Sequence, residues 1–230
     1  MRIAILGGTG DIGAGLALRL GRDTDHPIVI GSRDADRATT AVTRYVGQLQ
    51  ARGYDPDIEG DENVNAVEQA DVIIFAVPPY SVSDAIEGLG DVLPSDSILV
   101  SPAVGIRRDE EGVHYHRPGV GSVTRLAAEA APESVSVVGA FHSIPAQRLS
   151  DLDDPLDQDT VVIGDDKTAR DAIIKLANEI DGLTALDAGP IANAPEVESL
   201  TALLINIGRY NESLHEAGFR VVAPDRNVDG

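Results

Sequence analysis

The sequence predicts an α/β protein. Short apolar runs, several of them rich in β-branched residues, alternate with helical segments, which is the pattern of a parallel sheet covered by helices. A glycine-rich turn at residues 7–13 joins the first apolar run to the first helical segment, as at the start of a Rossmann domain. We therefore expect a Rossmann domain over residues 1–145, a smaller C-terminal α/β domain over residues 146–222 and a disordered tail over residues 223–230.

The first strand, turn and helix carry a functional pattern. Residues 2–6 form an apolar strand, residues 8–13 read G-x-G-x-x-G and residues 14–20 are helical. In such a turn one glycine permits the bend, one lets the backbone approach a pyrophosphate, and one lets helix and strand pack closely. The free N–H groups of the helix start then face the anion. A turn that binds nothing is the alternative, but its place between strand and helix favours a dinucleotide site.

The second strand, over residues 27–31, ends where NAD and NADP are distinguished. An NAD site has an acidic residue at this distance from the glycines, which binds the ribose hydroxyls. This sequence has Ser32 and Arg33 there, with Arg37 one turn further on in the helical crossover of residues 34–52. Because guanidinium groups bind phosphate oxygens, the pattern favours the 2′-phosphate of NADP over ordinary surface charge.

Further apolar runs predict buried strands over residues 71–77, 97–104 and 135–141. Ligands collect beyond the carboxyl ends of such strands, which favours a site at His142, although a well-capped connection is the alternative. Residues 106–118 are expected to form a surface hairpin or loop. Its two histidines, His114 and His116, have no evident third ligand, so we expect them to be solvated and predict no metal site.

The C-terminal part is expected to contain an acidic linker, two strands and two helices. The strands cover residues 160–164 and 183–188, and the first helix covers residues 167–181. Asn193 can cap the last helix, with Pro195 in its first turn. An apolar stripe on that helix is expected to be core or subunit interface rather than a cofactor wall, and it consists of Val197, Leu200, Leu203, Leu204 and Ile207. From Gly218 onward the chain is expected to be loosely held.

Composition restricts the classes of partner. The formal net charge is −20, and Lys167 and Lys175 are the only lysines, so nucleic acid and anionic membranes are not expected partners. No apolar run approaches the length of a membrane span and no signal peptide is recognised, which together with the absence of cysteine favours a cytoplasmic enzyme. The scarcity of lysine favours a halophilic origin, in a salt-rich cytoplasm that screens carboxylate repulsion, over an ordinary acidic protein.

The sequence resembles the coenzyme F420-dependent NADP oxidoreductases of archaea and some actinobacteria. The most specific matches are the His-Ser-Ile-Pro segment and the pair Leu-Asp-Ala-Gly-Pro and Glu-Ser-Leu-Thr, whereas the glycine turn is shared with many dehydrogenases. The matching segments are residues 6–13, 31–33, 101–102, 142–146, 164–166, 179–183, 186–190 and 198–206.

The resemblance implies hydride transfer between a reduced deazaflavin, coenzyme F420, and NADP. It implies pyrophosphate contacts from the glycine turn and 2′-phosphate contacts after the second strand, with Arg37 at a position where the family often has lysine. It also implies a nicotinamide end and a deazaflavin contact. The homodimer that we expect rests instead on the apolar stripe of the last helix. The implied cofactor-binding residues are Gly8, Thr9, Gly10, Asp11, Ile12, Ser32, Arg33, Arg37, Val77, His142, Ile144, Ala146 and Ala217.

No protein acid or base is expected, because the hydride passes directly between two cofactor rings. The sequence contains no Ser-His-Asp set and no paired-carboxylate motif. His142 is therefore expected to orient the deazaflavin. Two other functions stay open: an NADP-dependent reductase of an organic substrate such as an imine, in which His142 would be an acid, and a non-catalytic NADP-binding redox sensor.

Overall fold

The computed structural model of the protein describes residues 1–224. The strands within this range are β1 (Ile3–Leu6), β2 (Ile28–Ser32), β3 (Ile58–Glu62), β4 (Val72–Phe75), β5 (Ile98–Ser101), β6 (Ile106–Arg108), β7 (Val113–Tyr115), β8 (Ser136–Gly139), β9 (Gln158–Gly164) and β10 (Leu183–Asp187). The helices are α1 (Asp11–Asp23), α2 (Ala35–Gln50), α3 (Asn63–Val67), α4 (Val82–Glu87), α5 (Val123–Ala130), α6 (Ala146–Ser150), α7 (Lys167–Asn178) and α8 (Ala194–Tyr210).

An eight-stranded sheet lies at the centre, in the order β3-β2-β1-β4-β5-β8-β9-β10. The strands from β3 to β8 are parallel, with Ile3 of β1 facing Ile28 on one side and Val72 on the other. The chain builds outward from β1 in one direction and from β4 in the other, so the order reverses between these two strands. Ligands of open α/β sheets bind outside the strand ends at such a reversal. The predicted α/β class is confirmed, with a Rossmann-like sheet.

Helices cover both faces of the sheet. One apolar cluster joins the sheet to α1, α2 and α7, and a second joins its other face to α3, α4 and α5. Strands β1 and β4 are buried along their whole length, as their uninterrupted apolar sequences predict for strands covered on both faces.

The C-terminal strands extend this same sheet. Strand β9 pairs with β8 in the antiparallel direction, through Val138 with Gly164 and Gly139 with Ile163, and β10 then pairs with β9 in parallel. Residues 146–222 therefore add two strands to one edge of the Rossmann sheet. The division into domains at residue 145 stays a prediction.

Helices α1 and α6 pack closely against each other. A Cβ atom at Gly15 of α1 would lie 2.4 Å from the Leu149 Cβ of α6, so only glycine fits without displacement. The buried Arg19 guanidinium of α1 donates to main-chain carbonyls in and after α6, at Leu149 (3.1 Å), Arg148 (2.8 Å), Asp154 (2.9 Å) and Asp151. The crossing therefore fixes the position of α6 on α1.

The predicted surface hairpin is confirmed as β6 and β7, which pair in the antiparallel direction. Its two histidines have separate partners. The His114 Nε2 lies 3.0 Å from an Asp109 carboxylate oxygen, and the His116 Nδ1 lies 2.6 Å from the Tyr80 hydroxyl. One possible ligand atom from each of Asp109, Glu111 and His114 lies within 4.8 Å of the other two, so the structure places beside His114 two carboxylates that the sequence did not indicate as partners, in an exposed arrangement that is common without a metal ion.

Two local predictions are wrong. Asn193 does not cap α8, because its side-chain amide donates to the Ala188 carbonyl (2.7 Å) instead; Pro195 does lie in the first turn. The chain after Gly218 is not loose through Val221, because the Asp159 N–H donates to the Phe219 carbonyl (2.8 Å) and the Val221 N–H donates to the Asp159 carboxylate (2.6 Å). Most of the predicted disordered tail, residues 225–230, lies outside the described residues.

Candidate functional site

The glycine turn presents free N–H groups at the start of α1. Gly10 precedes this helix, and no side chain caps it. A Cβ at Gly13 would lie 2.6 Å from the Gly8 Cα, so this position needs glycine for helix and turn to approach. The Tyr45 hydroxyl of α2 donates to the Gly8 carbonyl (2.7 Å) and holds the turn from behind. Uncapped N–H groups and the helix dipole together favour an anion at this point.

A small cavity of about 350 Å³ opens between the glycine turn and α2. It brings Thr9 together with Arg37, as expected for a phosphate pocket, and adds Thr40 and Arg44, which the sequence analysis did not select. The Arg44 guanidinium lies 5.0 Å from the centre of the Tyr45 ring and donates to its hydroxyl (3.2 Å).

Asp36 also lines this cavity, but no carboxylate within residues 1–224 forms an ion pair with the arginines that line it. Asp34 caps α2 by accepting from the Asp36 N–H (2.9 Å), and within residues 1–224 neither Arg33 nor Arg37 forms an ion pair. Arg33, the residue after the carboxyl end of β2, is exposed and does not line the cavity. Ser32 is buried, and its hydroxyl accepts from the Asp34 N–H (3.3 Å).

A larger cleft of about 880 Å³ lies beyond the carboxyl ends of β1, β4, β5 and β8. Segments that follow each of these strands line it, together with α8 and the chain that follows that helix. The structure brings these sequence-predicted residues together around it: Asp11, Ile12, Val77, His142, Ile144, Ala146 and Ala217. Proline, alanine and branched aliphatic side chains form much of the wall, which suits a flat ring, and Arg108, Arg209 and Glu216 add charged groups to the lining.

The turn after β8 positions His142 and contains a strained backbone conformation. Phe141 has φ +66°, a left-handed conformation that costs a bulky residue about 1–3 kcal/mol and is found mainly at functional sites. Its N–H donates to the Thr160 hydroxyl (3.2 Å), and the Thr201 hydroxyl donates to the His142 carbonyl (2.8 Å). Burial lowers the pKa of His142 to about 4, so the imidazole is neutral at physiological pH.

Comparison with known proteins gives the family. A sequence model described as "NADP oxidoreductase coenzyme F420-dependent" matches residues 2–105. The F420-dependent NADP reductase of Methanocaldococcus jannaschii is 37% identical over 212 residues, which are 90% of this chain and 92% of that protein. The chain belongs to the F420-dependent NADP reductase family. The enzyme of the same name from Methanothermobacter marburgensis is 36% identical and covers 96% of the chain and 98% of its own length.

A solved structure from Arthrobacter sp. FB24, whose title proposes an F420-dependent NADP reductase, has the same fold as this family member. It has a TM-score of 0.80 at 20% identity and covers 97% of this chain and 100% of its own. In residues 1–224, no helix has the length and apolar character needed to cross a membrane.

One side chain near the cleft of this F420-dependent NADP reductase family member was missed from the sequence. Glu198 of α8 is fully buried, and its carboxylate accepts from the Val123 N–H (3.0 Å), the Thr124 N–H (2.8 Å), the Thr124 hydroxyl (2.9 Å) and the Tyr115 hydroxyl (3.0 Å). Burial raises the pKa of Glu198, and these four donors oppose the rise. The carboxylate of Glu198 thus gives the first N–H groups of α5 an acceptor, and the N-terminus of this helix stabilises the negative charge of the carboxylate.

The apolar stripe of α8 lies only partly in the core. Leu204 is buried and Val197 packs against the core, as predicted, whereas Leu203 is 56% exposed, and the buried face also contains Ala194, Glu198 and Ala202. Leu204 lines the cleft as well. The sequence does contain a signal for this part of the buried face, because the small residues Ala194 and Ala202 lie four positions before and after Glu198.

Proposed function

We propose that this protein transfers a hydride between reduced coenzyme F420 and NADP. The observation that carries the proposal is the meeting of two cavities at one glycine turn, where Thr9 lines the cationic cavity and Asp11 lines the apolar cleft. A dinucleotide bound along the turn would have its phosphate-rich end in the first cavity and its nicotinamide in the second. In a chain of this family, the remaining cleft volume is the place for the deazaflavin.

The residues at the turn fit the phosphates of NADP. The N–H groups of Asp11 and Ile12 bind the pyrophosphate at the start of α1, while the Gly10 N–H closes the turn by donating to the Gly7 carbonyl (2.9 Å). Arg37, with Arg33 and Ser32 beside it, binds the 2′-phosphate, since two guanidiniums without carboxylate partners are available there.

The residues of the cleft fit two stacked rings. Val77 and Ala146 contact the nicotinamide, and His142, Ile144 and Ala217 contact the deazaflavin. When bound, the reduced deazaflavin supplies the hydride and the nicotinamide accepts it, so the redox chemistry belongs to the cofactors. The chain aligns the rings, excludes water with its aliphatic walls and needs no proton-transfer pair of its own.

We further propose a cytoplasmic homodimer from a halophile. The support for a homodimer is the 56% exposure of Leu203 on α8, a large apolar side chain that a contact with a second copy would remove from water. The net charge of −20 with two lysines supports a salt-rich cytoplasm.

Mixing the purified protein with reduced F420 and NADP tests the proposed reaction. We expect stoichiometric formation of oxidised deazaflavin and NADPH, followed by their separate absorbances. Deuterium on the reducing carbon of the deazaflavin should appear in NADPH without exchange with water. Oxidation of NADPH by a cyclic imine but not by oxidised F420 would instead indicate an imine reductase, and tight NADP binding without turnover would indicate a sensor.

A further inference from the structure

The Thr124 hydroxyl connects Glu198 to His142. Thr124 belongs to α5, Glu198 to α8, and His142 to the turn after β8, so three separate elements meet at this hydroxyl. Its oxygen lies 2.9 Å from a Glu198 carboxylate oxygen and 3.5 Å from the His142 Nε2. All three side chains are buried.

The number of available protons decides which group donates in each of these hydrogen bonds. Each oxygen of the Glu198 carboxylate accepts from a backbone N–H group that cannot reverse its role, Oε2 from Val123 and Oε1 from Thr124, and these two fixed donors select the ionised carboxylate. The single proton of the Tyr115 hydroxyl can go to Oε2 or to the Gly121 carbonyl, so it does not enter this count. A carboxylate cannot donate, so the single proton of the Thr124 hydroxyl points to Glu198. The same oxygen can then only accept from His142, and the Nε2 of that imidazole must carry the proton.

The other ring nitrogen is left as an acceptor. A neutral imidazole protonated on Nε2 has a lone pair on Nδ1. The His142 Nδ1 is buried and has no hydrogen-bond partner among residues 1–224. A buried acceptor without a partner is costly, and because the His142 side chain belongs to the lining of the cleft, the N–H of a ligand that reaches this nitrogen would remove that cost.

We propose that Glu198 and Thr124 are positioning residues that hold His142 as the neutral Nε2–H tautomer, so that its Nδ1 accepts from an N–H donor on a bound ring. The donor is an imide or carboxamide N–H, a group that the deazaflavin and the nicotinamide both contain. Only this last assignment rests on the proposed function. The histidine is thereby an acceptor at the cleft wall, and a ring that presents a carbonyl at the same place is disfavoured.

Nitrogen NMR of the ligand-free protein tests the tautomer directly. In uniformly ¹⁵N-labelled protein, the His142 side chain is assigned by comparison with His142→Gln. We expect a protonated Nε2 and an unprotonated Nδ1 at neutral pH, with the Nε2–H protected from exchange. A proton on Nδ1 would overturn the proposal, whatever the enzyme does with its cofactors.

Two substitutions at Thr124 test the positioning. Thr124→Val keeps the shape and removes the hydroxyl, so the Nε2–H signal should shift upfield and exchange faster, while Thr124→Ser should preserve both properties. With the ring less well held, we expect Thr124→Val to weaken binding of one cofactor by roughly three- to tenfold, measured separately for oxidised F420 and for NADP. Weaker F420 binding assigns the acceptor to the deazaflavin, and weaker NADP binding assigns it to the carboxamide.

The outcomes separate this proposal from the reaction itself. A folded Thr124→Val protein with an unchanged Nε2–H signal and unchanged affinity for both cofactors would overturn the positioning role. Failure to transfer a hydride, with the tautomer as expected, would contradict the proposed function and leave the positioning intact.

Discussion

Replacing Arg37 by alanine is expected to weaken NADP binding and to leave NAD binding unchanged. The guanidinium lines the cavity beside Thr9, is exposed and has no ion-pair partner in the described part of the chain, so it is available for a 2′-phosphate. Hydrogen bonds to charged groups contribute about 1.5–3 kcal/mol, and about 1.4 kcal/mol is a factor of ten in Kd. The expected loss for NADP is therefore roughly ten- to hundredfold.

This substitution should not damage the fold. Arg37 lies in the first turn of α2, where the positive end of the helix dipole disfavours a cation, so alanine is expected to leave the Tm unchanged or slightly higher. Arg52→Ala is the matched control, because Arg52 follows the other end of α2 and forms an exposed ion pair with Asp153 (3.1 Å). Its Kd values for both cofactors should equal those of the wild type.

The assay is a titration of each variant with NADP and with NAD at fixed ionic strength, since a net charge of −20 repels both ligands and salt screens this repulsion. An equal loss of NADP and NAD affinity would show that Arg37 supports the turn rather than the phosphate. An unchanged NADP affinity would refute the assignment of the cavity, and Arg33→Ala would then test its exposed neighbour.

Three further predictions concern the turn, the charge and the buried histidine. Gly13→Ala places a Cβ 2.6 Å from the Gly8 Cα, so it should lower the Tm and weaken the binding of both NADP and NAD at least about tenfold. The control Gly47→Ala has open space around its Cβ and should be neutral or stabilising. Equal behaviour of the two variants would contradict the packing argument. The Tm should rise between about 0.1 M and 2 M potassium chloride, where the Debye length falls from about 10 Å to under 3 Å, and a flat or falling curve would rule out a halophilic surface. Burial lowers the pKa of His142 from 6.5 to about 4, so between these pH values the unfolded chain binds a proton that the folded chain does not. The free energy of unfolding should therefore decrease as the pH falls from 6.5 to about 4. Denaturant titrations should show a smaller decrease for His142→Gln than for the wild type, and parallel curves would contradict the burial of a neutral imidazole.

The sequence predicts the parts of the site that follow strand ends. Ile12, Val77 and His142 come after different strands and are far apart in the chain, yet they line one cleft because the carboxyl ends of parallel strands gather at one edge of a sheet. The fold class follows from the alternation of apolar runs and helical segments, for which local periodicity was sufficient, whereas the strand order around β1 and β4 comes from the structure.

The carboxylate inside the protein could not be predicted in the same way. Glu198 contacts Tyr115 and Thr124, which are 83 and 74 residues away in the sequence, and a donor set assembled from separate elements leaves no local pattern. The buried face of α8 was predicted only in part for a related reason: its large aliphatic residues indicate the core at Leu204 but not at Leu203, and the small residues Ala194 and Ala202 flank the buried Glu198. The antiparallel entry of β9 also depends on tertiary pairing that no periodicity encodes.

The crossing of α1 and α6 fixes the distance between two walls of the proposed site. In the proposed binding mode the N-terminus of α1 faces the pyrophosphate, and α6 begins at Ala146 in the cleft wall, so the Gly15–Leu149 contact and the Arg19 bonds would set the gap between dinucleotide and wall. Reacting atoms must come within about 3–3.5 Å, and an error of about 1 Å can cost roughly a hundredfold in rate. In that binding mode, selection or an engineer could change the width of the reaction site from Gly15, a buried position that does not line the cleft.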